Sequence, residues 1–322
     1  MSDGTMFIFP GQGSQYAGMG SDLCAEFASA RAIYAEANDV LGFDVTRLSH
    51  EGPEDELGLT RNTQPALLTH EIACLTAFNE LTGSEVTPQI AGGHSLGEYT
   101  ALVAAGSISF ADGLRLVRRR GELMGEFGTG GMLALGLDLA AATPLADRFY
   151  CQVGGCNLPE QTVIGGADED LERLEAALPD LYPRKRAARL KTEGAFHTYL
   201  MVRAARAFRT VLDEYEFATT ECAVLSNYSG NAHADSPEAI RTALFFQLFN
   251  PVKWVSCMRT AVGKGIGRII EFGGGIGSGD GPAAKKPNLQ GLVKKNLRAL
   301  QHEADYMACI NAAGIREAAG GL

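Results

Sequence analysis

At 322 residues, 46% of them hydrophobic, the chain can bury one large core or a core with a smaller insertion. A net charge of -10 argues against generic nucleic-acid binding. The seven cysteines are scattered and form no CxxC pair, which argues against a disulfide framework.

The start, MSDGTMFIFPGQG, lacks the basic flank and the apolar length of a signal peptide, and no stretch is long and apolar enough for a membrane span. A cytoplasmic protein with reduced thiols is expected. Residues 5–9 read as a short buried strand ending at Pro10, and residues 88–91 as a second one. Helical sequence follows each, at 26–41, 65–82, 97–106 and 111–126, and alternation of this kind signals a parallel sheet covered by helices. Between 131 and 192 the order changes to strand, helix, strand, strand, helix, strand, a ferredoxin-like βαββαβ insertion. The expected division is therefore a core of 1–130 and 193–322 with a small subdomain at 131–192. Helices at 198–215 and 236–247 and strands at 223–227 and 268–272 complete the core. The irregular stretch 273–291, GGGIGSGDGPAAKKPNLQG, reads as a long loop with either a function or mobility.

Gly93-His94-Ser95-Leu96-Gly97 has the GxSxG pattern, with an apolar strand before it and a helix directly after it. In that context a sharp turn lifts the serine hydroxyl above the sheet, and the helix start offers free N–H groups to an oxyanion. A glycine-flanked turn serine is the plainer alternative. A nucleophilic serine needs a base, usually histidine. Of six histidines, His94 neighbours the serine and points elsewhere on the turn, and His50, His70, His233 and His302 lie in polar or helical surroundings without other motif residues. His197, between an apolar pair and a helix start, is the best candidate; a satisfied or surface histidine is the alternative. On the 113–124 helix, Arg115, Arg118, Arg119 and Glu122 gather on one side, while Arg120 falls among Leu116, Val117, Leu123 and Met124. An arginine on an apolar face needs an anionic partner, either an internal carboxylate or a ligand.

Taken together, FPGQGSQYAGMG (9–20), NTQPALLTHEIA (62–73), GHSLGEYTALVAAG (93–106), LRLVRRRGELM (114–124), GAFHTYLM (194–201) and QLFNPVKW (247–254) resemble the malonyl-CoA:acyl-carrier-protein transacylase family, including stand-alone polyketide synthase acyltransferases. The resemblance implies an α/β-hydrolase-like core with a ferredoxin-like insertion. It implies Ser95 as acylated nucleophile, His197 as base, the Gln12 and Leu96 N–H groups as oxyanion hole, and the Gln247 carbonyl as the group orienting the histidine. It also implies that Arg120 binds the malonyl carboxylate and that Phe196 narrows the pocket in favour of malonyl over methylmalonyl units.

The expected reaction moves a malonyl group from malonyl-CoA through malonyl-serine to the phosphopantetheine thiol of an acyl carrier protein. Rival readings are an editing acyl hydrolase and a non-catalytic docking protein of the same fold. No metal and no cofactor are expected, with coenzyme A entering as the thioester substrate: GQGSQ misses GxGxxG at Tyr16, and His70-Glu71 misses HExxH at Cys74. Departures from the family pattern are the long 273–291 loop, where a short glycine-proline-glycine turn is usual, and Tyr199 and Leu200 after the histidine.

Overall fold

The structure, a computed structural model, describes residues 4–322. The first three residues of the core expected at 1–130 lie outside that range. The chain lays down β1 (Gly4–Phe9) and β2 (Ile90–Gly93), then leaves to build β3 (Gly131–Leu135), β4 (Gln152–Leu158), β5 (Gln161–Gly166) and β6 (Ala187–Leu190). It returns to add β7 (Ala223–Val224), β8 (Ile266–Phe272) and β9 (Asp305–Cys309). The five strands of the main sheet are all parallel, in the order β7-β2-β1-β8-β9.

The central strand explains why its sequence shows no alternation. Met6 and Ile8 pack on one face with Ile90, Leu225 and Ile269, under helices Trp254–Gly263 and Gln290–Ala299. Phe7 and Phe9 enter the opposite core, where the Phe272 ring lies 4.9 Å from Phe7 and 5.9 Å from Phe9. A parallel strand covered on both faces must be apolar throughout.

The second sheet is antiparallel in the order β4-β5-β3-β6, the pairing of a ferredoxin-like βαββαβ unit. Leu133, Leu135 and Ile164 meet Leu145, Leu171 and Leu174 from helices Leu139–Arg148 and Asp168–Leu181 on one face. Met132 and Val163 of the other face join the main core with Phe196.

The strands expected at 88–91 and 223–227 are Ile90–Gly93 and Ala223–Val224, and three helices also differ from the sequence reading. The helix expected at 26–41 is two helices, Ser21–Glu26 and Ala28–Leu41, because Phe27 turns extended (φ -107°, ψ 123°) to bury its ring. The helix expected from 65 starts earlier, at Thr60–Thr82, with Pro65 inside it. Proline cannot donate to the Arg61 carbonyl, which instead accepts from Arg118 Nη1 at 3.0 Å. The helix expected at 198–215 is a 3-10 turn, Tyr199–Met201, followed by Val202–Leu212.

Candidate active site

β2 and the helix Leu96–Ala104 are joined by only two residues, His94 and Ser95. Ser95 has φ 54° and ψ -97°, backbone geometry that costs a non-glycine residue about 1–3 kcal/mol. The flanking glycines permit it. A Cβ on Gly93 would lie 2.1 Å from the carbonyl carbon of Gly97, and one on Gly97 would lie 2.1 Å from the Phe9 carbonyl oxygen. The turn is held from below: the Ser95 N–H donates to Asn227 Oδ1 at 2.6 Å, and Asn227 Nδ2 donates to the Gly93 carbonyl at 2.8 Å.

The Ser95 hydroxyl lies 2.8 Å from His197 Nε2 and 3.2 Å from Arg120 Nη2. His197 Nδ1 lies 2.7 Å from the Gln247 carbonyl oxygen, which can only accept. The ring proton therefore sits on Nδ1, and the Nε2 lone pair faces the hydroxyl. Burial first, and then the neighbouring Arg120 charge, push the histidine pKa down to about 3, so its neutral form prevails at ordinary pH.

Arg120 is 1% exposed, and no carboxylate pairs with it among the described residues. Its Nη1 donates to Gln64 Oε1 at 3.0 Å and its Nη2 to Gln247 Oε1 at 2.9 Å, while the guanidinium lies 5.0 Å from the Tyr99 ring centroid. Its Nε–H is buried without a partner. Burial lowers its pKa, yet a guanidinium keeps its proton in a protein, so the site holds a buried positive charge in no direct ion pair among the described residues. The internal salt bridge open to Arg120 from sequence is absent.

A cleft of about 460 Å3 between the two sheets opens on Ser95 and is lined by Gln12, His94, Asn157, Lys191, Phe196 and His197. Gln12 reaches it from the end of β1 and Leu96 is the first helical residue; neither N–H donates to a protein acceptor among the described residues. A larger groove of about 810 Å3 across β4, lined by Gln152, Lys253, Arg259 and Asn296 among others, has no serine and histidine in contact.

Sequence reasoning missed several buried polar residues here. Gln64 and Glu98 lie in the quoted motifs and Asn227 at the end of the strand expected at 223–227, but their burial is set by tertiary contacts. Two histidines need correction. His94 does not point away from the site: its ring lines the cleft, with Nε2 2.8 Å from Asn157 Oδ1. The His233 side chain is only 3% exposed, with Nε2 2.8 Å from Glu98 Oε1, because the chain turns back and donates the His233 N–H to the Val224 carbonyl.

A strained serine at a strand-to-helix turn of a parallel sheet, in contact with a histidine fixed by a backbone carbonyl, marks the class as serine-dependent acyl transfer. Residues 6–264 match the family model described as an acyl transferase domain. The chain is 38% identical over 304 residues to the malonyl CoA-acyl carrier protein transacylase of Bacillus subtilis, covering 92% of this chain and 91% of the relative. It is 37% identical over 274 residues to the polyketide biosynthesis protein ThaF of Burkholderia thailandensis, covering 84% of this chain but 23% of that longer protein. Among solved structures, it matches a malonyl-transacylase in complex with its type II PKS acyl-carrier protein at a TM-score of 0.88 and 34% identity, over 99% of this chain and 100% of that one. The chain belongs to the malonyl CoA-acyl carrier protein transacylase family.

Proposed function

We propose that this protein transfers a malonyl group from malonyl-CoA to the phosphopantetheine thiol of an acyl carrier protein, in fatty acid or polyketide synthesis. Ser95 is the nucleophile. His197 Nε2 takes the hydroxyl proton as Oγ attacks the thioester carbonyl, the Gln12 and Leu96 N–H groups receive the oxyanion, and the proton leaves with the coenzyme A thiolate. A malonyl ester on Ser95 remains. The carrier thiol then gives its proton to His197 and attacks that ester, and the proton returns to Ser95 as the thioester forms. The Gln247 carbonyl keeps the histidine in the required tautomer throughout.

The observation that carries the reading is Arg120. A buried guanidinium with no carboxylate of its own, 3.2 Å from the nucleophile, is suited to an anionic acyl group, and malonyl has a free carboxylate where acetyl has none. Phe196 borders the same cleft and restricts the room beside the reacting carbon. An editing acyl hydrolase has no use for such a clamp, and a non-catalytic docking protein has no use for a poised serine and histidine. The proposal treats 131–192 as the small subdomain and 1–130 with 193–322 as the catalytic core, the cleft lying between them. It requires no cofactor, and coenzyme A is substrate only. A cytoplasmic site of action is part of it, supported by seven unpaired cysteines.

The test is the ratio of malonyl to acetyl acylation rates on Ser95. Stranding the malonyl carboxylate costs about 3–5 kcal/mol, so Arg120→Gln should lower the ratio by roughly two to four powers of ten. A ratio unmoved in a folded variant would refute the clamp and favour the hydrolase.

A further inference from the structure

Glu98 lies three residues after the nucleophile, fully buried; it makes no contact with the Ser95 hydroxyl and is not itself among the residues lining the cleft. Three N–H donors converge on its carboxylate. Oε2 accepts from Gln247 Nε2 at 2.8 Å and from the Asn227 backbone N–H at 2.9 Å, and Oε1 accepts from His233 Nε2 at 2.8 Å. Gln247 Nε2 also donates to the Ser95 carbonyl at 2.9 Å, and Gln247 Oε1 accepts from Arg120. The Asn227 that Glu98 holds by its backbone holds the Ser95 N–H by its side chain. The nucleophile turn, the histidine-orienting carbonyl and the buried guanidinium thus hang on two residues, Asn227 and Gln247, and both are tied to one carboxylate.

The interposed amide has a consequence for charge. A carboxylate bonded directly to Arg120 would neutralise it and occupy the donors an anionic substrate needs. With the Gln247 amide between them, Glu98 orients the guanidinium through two polarised hydrogen bonds in series and leaves it unpaired. We propose that Glu98, braced by His233, is a positioning residue for malonyl selectivity: through Gln247 it keeps Arg120 aimed at the acyl carboxylate while leaving that arginine free of an ion pair. The His233 ring fits a bracing role, since Nε2–H donates to Glu98 and the buried Nδ1 has no partner. The inference rests on Arg120 being the carboxylate clamp.

A double-mutant cycle tests it and separates the two ideas. Glu98→Gln should lower the malonyl to acetyl acylation ratio by about tenfold, within the range for residues sharing a hydrogen-bond network. In an Arg120→Gln background the same change should move the ratio less than about twofold, because there is no guanidinium left to aim. An unmoved ratio in folded Glu98→Gln, or an equal fall in both backgrounds, overturns the inference while the clamp stands. A ratio unmoved by Arg120→Gln alone overturns both. Should Glu98→Gln not fold, His233 decides. His233→Ala should lower the ratio, and His233→Gln, whose amide can donate where Nε2 did, should restore it. Equal ratios in the two His233 variants would overturn the bracing role and the inference with it.

Discussion

His197 is caught between two requirements: it must be neutral to accept the serine proton, yet basic enough to hold it. In the free protein, burial and the Arg120 charge depress its pKa to about 3, well below the ordinary histidine range near 6.5. Since kcat/KM reports the free enzyme, its acid limb should not appear as pH falls through about 6.5 and should lie toward the depressed value. In the proposed clamp a bound malonyl carboxylate would cancel the Arg120 charge, so the acid limb of kcat should lie at higher pH than that of kcat/KM. Arg120→Gln should raise the limb of kcat/KM measured with acetyl-CoA. Acylation rates over about pH 4–8 check all three, and a kcat/KM limb near pH 6.5 would contradict them. At this scale the residues legible in sequence were those with a motif or a helical face to mark them. Ser95 stood between glycines, His197 followed an apolar pair, and Arg120 interrupted an apolar stripe. Glu98, although inside the quoted 93–106 stretch, and His233 carried no sign of a shared role, because they meet across 135 positions of sequence.

The junction of β2 with the helix Leu96–Ala104 is built on backbone contact. Gly97 permits the helix to start against the end of β1, and alanine there would drive Cβ into the Phe9 carbonyl at 2.1 Å. Backbone cannot yield as a flexible side chain can, so Gly97→Ala should move the helix start, the Leu96 N–H and Ser95 together. The expected result is a loss of about 1–3 kcal/mol of stability and a fall in acylation rate larger than the lower melting temperature explains. Thermal melts and single-turnover acylation measure the two effects; wild-type values for both would contradict this account of the turn. Elements with strong periodicity or turn punctuation were legible from sequence, including the ferredoxin-like strand order. Boundaries decided by tertiary contact were not: Phe27 breaks a helix to bury its ring, and Arg118 supplies the hydrogen bond that lets a helix run through Pro65. The loop left open between function and mobility is pinned to the segment carrying Gln12. The Gly275 N–H donates to the Ser14 carbonyl at 2.8 Å, Ile276 and Lys286 pair, and Lys285 Nζ lies 4.9 Å from the Tyr16 ring centroid.

Over the whole molecule the net charge is -10, yet the segment leading into edge strand β6 carries exposed Arg184, Lys185 and Arg186. Just past β6, Lys191 lines the cleft mouth. Arg189 is committed to Asp168 and Glu175, and Lys285 is engaged by Tyr16 and the Gly277 carbonyl, so the unpaired cations near β6 are the better match for an acidic carrier. Reversing the charge of Arg184, Lys185 and Arg186 together should slow transfer to the carrier by about tenfold at low salt, less at high salt, and spare acylation by malonyl-CoA. Equal transfer rates at low salt would show that these side chains only keep a sheet edge soluble.

In the proposed reaction Ser95 carries a malonyl group between two thiols. Its most direct measurement is intact and peptide mass spectrometry of the protein mixed with malonyl-CoA and then with a phosphopantetheine-bearing acyl carrier protein. One malonyl adduct is expected on the Ser95 peptide, absent in Ser95→Ala, and it should disappear as the carrier gains the same mass. Release of free malonate with no gain on the carrier would identify a hydrolase, and no adduct at all in the folded protein would contradict a catalytic role for this site.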